Sequence, residues 1–202
     1  MSPSDAASSL AAKFPSAITS EKEFRGETTL GLAATAIREV CQFARESLGF
    51  DYLVDISGVD HFGDDPRFEI VYELYSMAHG THLRLKIPVG EDPCEAPSVT
   101  GIWPGANWHE REIYDMMGIR FTGHPDLRRI LMWEGYPYHP LRKDFPLEGK
   151  PSDTPGLAFS EVAPLAGGPF VTVPTDGTTQ VREPRAHHAG EPPRPEKFPE
   201  GP

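Results

Sequence analysis

Two stretches, RFEIVYELYSMA at residues 67–78 and THLRLKIPV at residues 81–89, decide the fold of this chain. In both, apolar side chains occupy every second position, which is the pattern of a β-strand with one buried face. Because the link Ala78-His79-Gly80 is short, we predict that the two strands form an antiparallel hairpin. A third strand is predicted at residues 51–59, immediately before them.

Helices are predicted on both sides of these strands. From about residue 33 to residue 48, apolar side chains recur at the spacing of an amphipathic helix, and Gly49 is expected to end it. A shorter helix is predicted at residues 4–13. The run from Ile18 to Leu32 is expected to be extended, and residues 97–103 are expected to add an edge strand. A helix packed on a mostly antiparallel sheet indicates an α+β fold.

A second long helix is predicted to begin at Asn107 and to end at Gly118. With Asn107 as N-cap, Glu110 would stand at the third helical position and complete a capping box. Arg111 and Asp115 are four residues apart, so that we expect an ion pair on one face of this helix.

Composition limits the functions that are open to the chain. Its 202 residues are 38% hydrophobic and carry a net charge of −11, with no apolar run near 18 residues and no leader with an apolar h-region. We therefore expect no membrane span. Because non-specific nucleic-acid binding depends on an excess of Lys and Arg, we expect no nucleic-acid partner. Cys41 and Cys94 fit no zinc or cluster spacing.

Four segments are predicted: residues 1–15, an α+β core at 16–117, an arm at 118–150 and a tail at 151–202. The arm contains several Gly and Pro residues that exclude a long helix, but its many large apolar side chains predict an ordered, extended segment. It also holds six cations and four anions within an acidic chain. The tail contains 11 Pro and 6 Gly in 52 residues, a composition typical of disordered segments.

Polar side chains are concentrated between residues 110 and 146. We expect twelve of them to be structural or interface residues: Glu110, Arg111, Glu112, Asp115, Gly118, His124, Asp126, Arg128, Arg129, Arg142, Lys143 and Asp144. Four of the cations, Arg128, Arg129, Arg142 and Lys143, are predicted to hold the arm against carboxylates of this chain or of its partners. The reason is energetic, since a buried ion pair costs about 3–5 kcal/mol to break and an exposed one only about 0–1 kcal/mol.

Several of these residues stand at the spacing of a known family. They are Glu110-Arg111-Glu112, Asp115 and His124, followed by Arg128, Ile130 and Leu131. The match continues through GHPDLRRIL at 123–131 and PLRKDFP at 140–146, with LVDISGVD at 53–60 upstream. In these motifs the chain resembles the thirty-kilodalton subunit of NADH-quinone oxidoreductase, which is respiratory complex I, over roughly residues 10–150.

The resemblance implies a non-catalytic, structural subunit in the peripheral arm of a proton-translocating complex. Its partners would be the large quinone-site subunit and the small subunit that holds the terminal cluster, on the cytoplasmic side of the cell membrane. Members of the family bind no cofactor, which places the flavin and the iron-sulfur clusters in partner subunits. The sequence agrees, since it contains neither a GxxxxGK nor a GxGxxG motif.

Two alternatives remain open. The first is an equivalent scaffold in a related membrane-bound hydrogenase, in which a similar domain is often fused to the large subunit. The second is a metal-dependent enzyme that uses His124 and nearby carboxylates. The second is disfavoured because there is no HExxH motif, and because Pro125 forces His124 into an extended turn, where a hydrogen-bonded histidine is the ordinary expectation.

Overall fold

A five-stranded sheet forms the centre of the computed structural model, which describes residues 1–133 and 135–146. The strands are β1 (Ile18–Phe24), β2 (Glu27–Leu32), β3 (Tyr52–Asp60), β4 (Phe68–Ser76) and β5 (Thr81–Val89). Their order across the sheet is β1-β2-β5-β4-β3. All neighbours are antiparallel except β2 and β5, which run parallel. The predicted α+β class with a mostly antiparallel sheet is confirmed.

The predicted hairpin of β4 and β5 supplies most of the core. Tyr72 pairs with Leu85 in its register, and the alternate side chains on one face are fully buried. These side chains are Phe68, Ile70, Tyr72, Leu74, Leu83, Leu85 and Ile87. The period-two pattern therefore predicted both the strands and the face that each strand buries.

Among the described residues, three α-helices complete the domain: α1 (Pro3–Lys13), α2 (Ile37–Leu48) and α3 (Ala106–Met117). Helix α1 packs on β2 and β5, and α3 packs on β3. Helix α2 buries its predicted apolar stripe, including the thiol of Cys41, and ends at Gly49 in the left-handed conformation. No helix within residues 1–133 and 135–146 is long and apolar enough to cross a bilayer.

Two segments predicted to be extended differ from the structure. The run from Ile18 to Leu32 is not one extended segment, because Arg25 and Gly26 form a tight turn between β1 and β2. The edge strand predicted at residues 97–103 is wrong. There the chain curls, since the Val99 carbonyl accepts hydrogen bonds from the amides of Ile102 (2.9 Å) and Trp103 (3.1 Å).

A second, two-stranded sheet lies beside this curl. It pairs β6 (Glu95–Pro97) in parallel with β7 (Arg120–Thr122), the three-residue strand that opens the predicted arm. From residue 123 the described part of the arm contains no further helix or strand. The tail predicted at 151–202 lies outside the described residues.

Arg67 connects the end of the sheet to the arm. Its buried guanidinium donates to both carboxylate oxygens of Asp60 (2.8 and 2.9 Å), to Glu91 (2.6 Å) and to Asp144 in the arm (2.7 Å). It also lies 4.9 Å from the ring centroid of Phe68. Chiefly through its hydrogen bonds, Arg67 holds the pKa of Asp60 below its usual range.

Replacing Arg67 by Ala should lower the free energy of unfolding by about 3–5 kcal/mol, because Asp60 would stay buried without its cation. Arg84→Ala is the matched control. Arg84 pairs with Glu73 and Glu27 but is one-third exposed, so that its loss should cost only about 0–1 kcal/mol. Urea unfolding of the three proteins measures both values, and equal losses would contradict the prediction.

Candidate functional site

The carboxyl end of α3 is where the arm meets the domain. The last four carbonyls of a helix have no partner inside it and need donors from elsewhere. In α3 each of these four carbonyls accepts a hydrogen bond. The Tyr114 carbonyl accepts from the Gly118 amide (2.9 Å), and the Asp115 carbonyl accepts from the side chains of Arg129 (3.1 Å) and His139 (3.0 Å). The Met116 carbonyl accepts from the Leu141 amide (3.0 Å), and the Met117 carbonyl accepts from Arg142 Nε (2.6 Å). Four of these five donors belong to the arm beyond the helix cap, so that the arm is bound to the helix end.

The Asp115 carboxylate, which is fully buried, makes the second set of contacts with the arm. Its Oδ2 accepts from the amides of Ile130, Leu131 and Met132 at 3.0, 2.7 and 2.8 Å. Its Oδ1 accepts from Arg129 at 2.6 Å. Burial alone would raise the pKa of Asp115, but the amide and guanidinium donors outweigh it, and the pKa is lowered. The carboxylate is thus charged and saturated.

Arg111 does not pair with Asp115, so the predicted ion pair within the helix is wrong. Its Nε donates to the carbonyl of Arg128 (3.0 Å) and its Nη2 to that of Arg129 (3.3 Å). The same guanidinium lies 5.1 Å from the centroid of the exposed Trp108 ring. Both side chains bind the arm backbone in place of each other. Asp115 accepts from backbone amides of the arm, and Arg111 donates to backbone carbonyls of the arm.

Glu110 is not part of a capping box, so this prediction is also wrong. Helix α3 begins at Ala106 after Gly105, and no side chain caps it. Glu110 lies one turn further in and is fully buried, with its Oε1 accepting from the Val99 amide at 2.7 Å. The curl that replaced the predicted edge strand creates this amide donor. Burial raises the pKa of Glu110 from 4.5 to about 7.

His124 is half-buried and hydrogen-bonded to backbone on both ring nitrogens. Its Nδ1 accepts from the Asp126 amide at 3.0 Å, and its Nε2 donates to the Asn107 carbonyl at 3.3 Å. Burial lowers the pKa of this ring. Asp126 and Arg128 form an ion pair at 2.9 Å that is largely exposed. The ring therefore fixes the turn at residues 124–126 against α3.

The remaining predicted residues lie where the arm returns to the sheet. The Arg142 guanidinium lies 5.1 Å from the centroid of the Phe68 ring. The Lys143 amide donates to Asp60 at 2.8 Å, and Asp144 accepts from Arg67, which lowers the pKa of Asp144. Within the described chain, Arg129 meets a buried carboxylate as predicted. Arg142 instead meets a carbonyl, and Lys143 contributes its backbone.

Comparisons with known proteins give matches that include α3 and the arm. The family model described as "Respiratory-chain NADH dehydrogenase, 30 Kd subunit" matches residues 30–151. The chain belongs to this family. An NADH-quinone oxidoreductase subunit of this family from Geotalea uraniireducens is 50% identical over 137 residues, which cover 68% of this chain and 84% of the relative. Its counterpart from Rhizobium meliloti is 51% identical over 140 residues, covering 62% and 76%.

Solved structures give the same fold. A trypsin-resistant fragment of Nqo5 superposes with a TM-score of 0.54 at 31% identity and covers 61% of this chain and 98% of the fragment. A chain of the membrane-bound sulfane sulfur reductase, an archaeal respiratory membrane complex, superposes with a TM-score of 0.62 at 27% identity and covers 71% and 85%. The resemblance that the sequence motifs indicated is confirmed.

The family motif does not assemble a metal site in the described residues. Across residues 1–133 and 135–146, no three or more His, Cys, Asp or Glu side chains are grouped so that they could hold a metal ion. Both nitrogens of His124 are engaged by backbone, and Asp115 is saturated by the arm. Glu112 is exposed and lines a cleft of about 320 Å³ between β3 and α3.

Three residues that join the arm to the rest of the domain were not predicted from the sequence. They are Asp60, Arg67 and His139. One signal was present, because Arg67 stands immediately before a strand that buries every second side chain, and a cation there needs a carboxylate partner. Which of the many acids would supply it depends on the tertiary fold.

Replacing Gly118 by Ala should loosen the arm. Gly118 has φ of +79°, and an added Cβ would lie 2.6 Å from His139 Nε2 and 2.8 Å from Arg142 Nη2. Gly49→Ala is the matched control, since this residue ends α2 with φ of +76° but its Cβ would meet no atom closer than 3.7 Å.

Both variants carry the strain of a left-handed Ala, about 1–2 kcal/mol, and Gly118→Ala should lose roughly 1–3 kcal/mol more through the clash. Urea unfolding measures the losses. Trypsin cleavage after Arg128 and Arg129 reports whether the arm has left the helix. Equal stability and equal cleavage in the two variants would contradict the role given to Gly118.

Proposed function

We propose that this chain is a structural subunit in the peripheral arm of a respiratory NADH-quinone oxidoreductase, located on the cytoplasmic side of the cell membrane. In this proposal it performs no chemical step and binds no cofactor. Flavin and iron-sulfur clusters reside in partner subunits, and electrons pass from NADH to quinone through them. The observation that carries the proposal is the use of the family motif, whose charged residues bind the arm to α3.

The contacts of the motif support a structural role over a catalytic one. A general acid, base or nucleophile must leave a donor or acceptor free for the substrate. Asp115 instead accepts four hydrogen bonds from the arm, and Arg111 donates to two arm carbonyls. His124 has one backbone partner on each ring nitrogen. The hydrogen-bonding groups of these residues are thus occupied by the arm and the backbone, and few of them are free to contact a substrate.

The partners we propose are the large quinone-site subunit and the small terminal-cluster subunit. Helix α3 and the arm carry three exposed apolar side chains, Trp108 (64% exposed), Leu131 (61%) and Leu141 (56%). Arg111 covers the Trp108 ring at 5.1 Å. Trp and Arg are the residue types that most often dominate binding energy in protein interfaces. A partner that presents apolar groups fits these exposed side chains.

Arg129→Ala should reduce the amount of assembled complex, because it breaks a pair with the fully buried Asp115 and frees the arm. Arg128→Ala is the matched control. This neighbouring side chain is 70% exposed and pairs only with Asp126 among the described residues, so that its loss should be tolerated. The amount of complex in native gels of host membranes and the NADH-quinone reductase activity per assembled complex are the measurements.

The proposal requires that activity per assembled complex stay normal in both variants. Full assembly of Arg129→Ala would contradict the role of the arm. Normal assembly with a lost chemical step would contradict the structural function itself, since it would indicate that the residue takes part in catalysis.

The similarity to a chain of the membrane-bound sulfane sulfur reductase favours a second candidate, an equivalent scaffold in a related membrane-bound complex. The predicted hydrogenase scaffold belongs to the same class. Co-purification of the tagged chain from its native host distinguishes them. Recovery of a flavin-containing, NADH-binding subunit supports the respiratory complex, and recovery of a complex without one supports the second candidate.

A further inference from the structure

Glu110 is a buried acid without a cation. Its side chain is fully buried, and Oε1 accepts from the amide of Val99 in the curl at residues 97–103. The other oxygen, Oε2, has no hydrogen-bond partner, and no ion pair involves Glu110 among the described residues. A charged carboxylate in such a place would lack the donors that replace water, and its burial would be costly.

The groups that face Glu110 do not supply a positive charge. Cys41 comes from α2 and Tyr72 from β4, and both side chains are fully buried. The loop before α3 contributes the Ser98 hydroxyl and the Val99 amide, which both favour the charged form. Burial first, and then the charge of Glu110, raise the pKa of the Cys41 thiol, and burial likewise raises that of the Tyr72 phenol. The Tyr72 hydroxyl is also buried without a hydrogen-bond partner.

We propose that Glu110 is a proton-binding site of the folded protein, and that the carboxyl group is held as the neutral acid with its proton on Oε2. The neutral form needs no cation, keeps Oε1 as the acceptor for Val99 and turns Oε2 into a donor. The family motif then contains two buried acids that differ in charge, since Asp115 is ionised and saturated with donors whereas Glu110 carries a proton up to about pH 7.

The proton makes the stability of the domain depend on pH. Burial raises the pKa of Glu110 from 4.5 to about 7 in the folded protein. Below pH 4.5 both states are protonated, and there is no penalty. Between pH 4.5 and 7 the unfolded chain releases the proton while the folded chain keeps it, so that stability falls as pH rises. Above pH 7 both states are charged, and the loss is constant.

Other groups titrate in the same range with the opposite sign. Burial lowers the pKa of His124 and of His139, so that these rings favour the folded state when neutral, and their contribution is lost as pH falls through 6.5. The pH profile of the wild-type protein alone therefore mixes two effects. A comparison with Glu110→Gln separates them, because Gln keeps the shape of the neutral acid but binds no proton.

Urea unfolding of the full-length chain and of Glu110→Gln at pH 5, 6, 7 and 8 tests the proposal. The ratio of the unfolding equilibrium constants, wild type over variant, should rise on the order of 100-fold from pH 5 to pH 8. Glu112→Gln is the matched control, since Glu112 is exposed on the same helix, and its ratio should stay flat. A flat ratio for Glu110→Gln would overturn the proposal.

A second measurement decides the question if Glu110→Gln fails to fold. Carboxyl resonances of wild-type protein labelled with ¹³C-glutamate are followed from pH 4 to pH 9. One glutamate that titrates near pH 7 supports a bound proton on the buried acid. Titration of every glutamate below about pH 5.5 overturns it, because the ordinary pKa of this side chain is about 4.3.

Discussion

The hydrogen bonds between the Asp115 carboxylate and three consecutive amides of the arm are the contact on which the rest of the site depends. An isolated carboxylate cannot be buried without compensating donors. Ile130, Leu131 and Met132 can offer their amides together only if the arm bends around the helix end, and Arg129 is brought to the carboxylate by the same bend. One buried charge therefore fixes the bend of the arm at residues 129–132.

Helix α3 carries this charge and connects the sheet to the arm. It packs on β3, where Gly58 leaves room for the sulfur of Met117, to which an added Cβ would come within 2.5 Å. Arg142 donates to the carbonyl of the same Met117, and the Leu141 amide donates to the carbonyl of Met116. The helix thus has the sheet on one side and the arm at its end.

The parts of the fold that could be predicted are those set by local periodicity. β4, β5 and α2 were located because one face of each is buried at every second residue or every helical turn. The family, too, could be recognised, because its motifs are local runs of residues. The short helix at residues 4–13 and the left-handed Gly49 followed from equally local rules.

The partners of the buried charges could not be predicted in this way. Glu110 matched a local capping rule, yet its partner is the Val99 amide in a curl eleven residues upstream. Asp115 had a cation one turn away in Arg111, but its partners come from residues 129–132. The hydrogen-bond partner of a buried polar group is set by the three-dimensional fold, whereas a rule based on sequence spacing considers only partners that are close along the chain.

The ion pair between Arg67 and Asp144 has a consequence for the order in which the chain folds. It joins residues 77 positions apart, and the neighbouring bond from Lys143 to Asp60 spans 83. The hairpin of β4 and β5 closes over a few residues and can form early, whereas contacts of such long separation come at a high entropic cost until the sheet exists. We therefore expect the arm to dock last. In that order of folding, the aromatic side chains of the arm would stay exposed to water during synthesis until the sheet and α3 have formed.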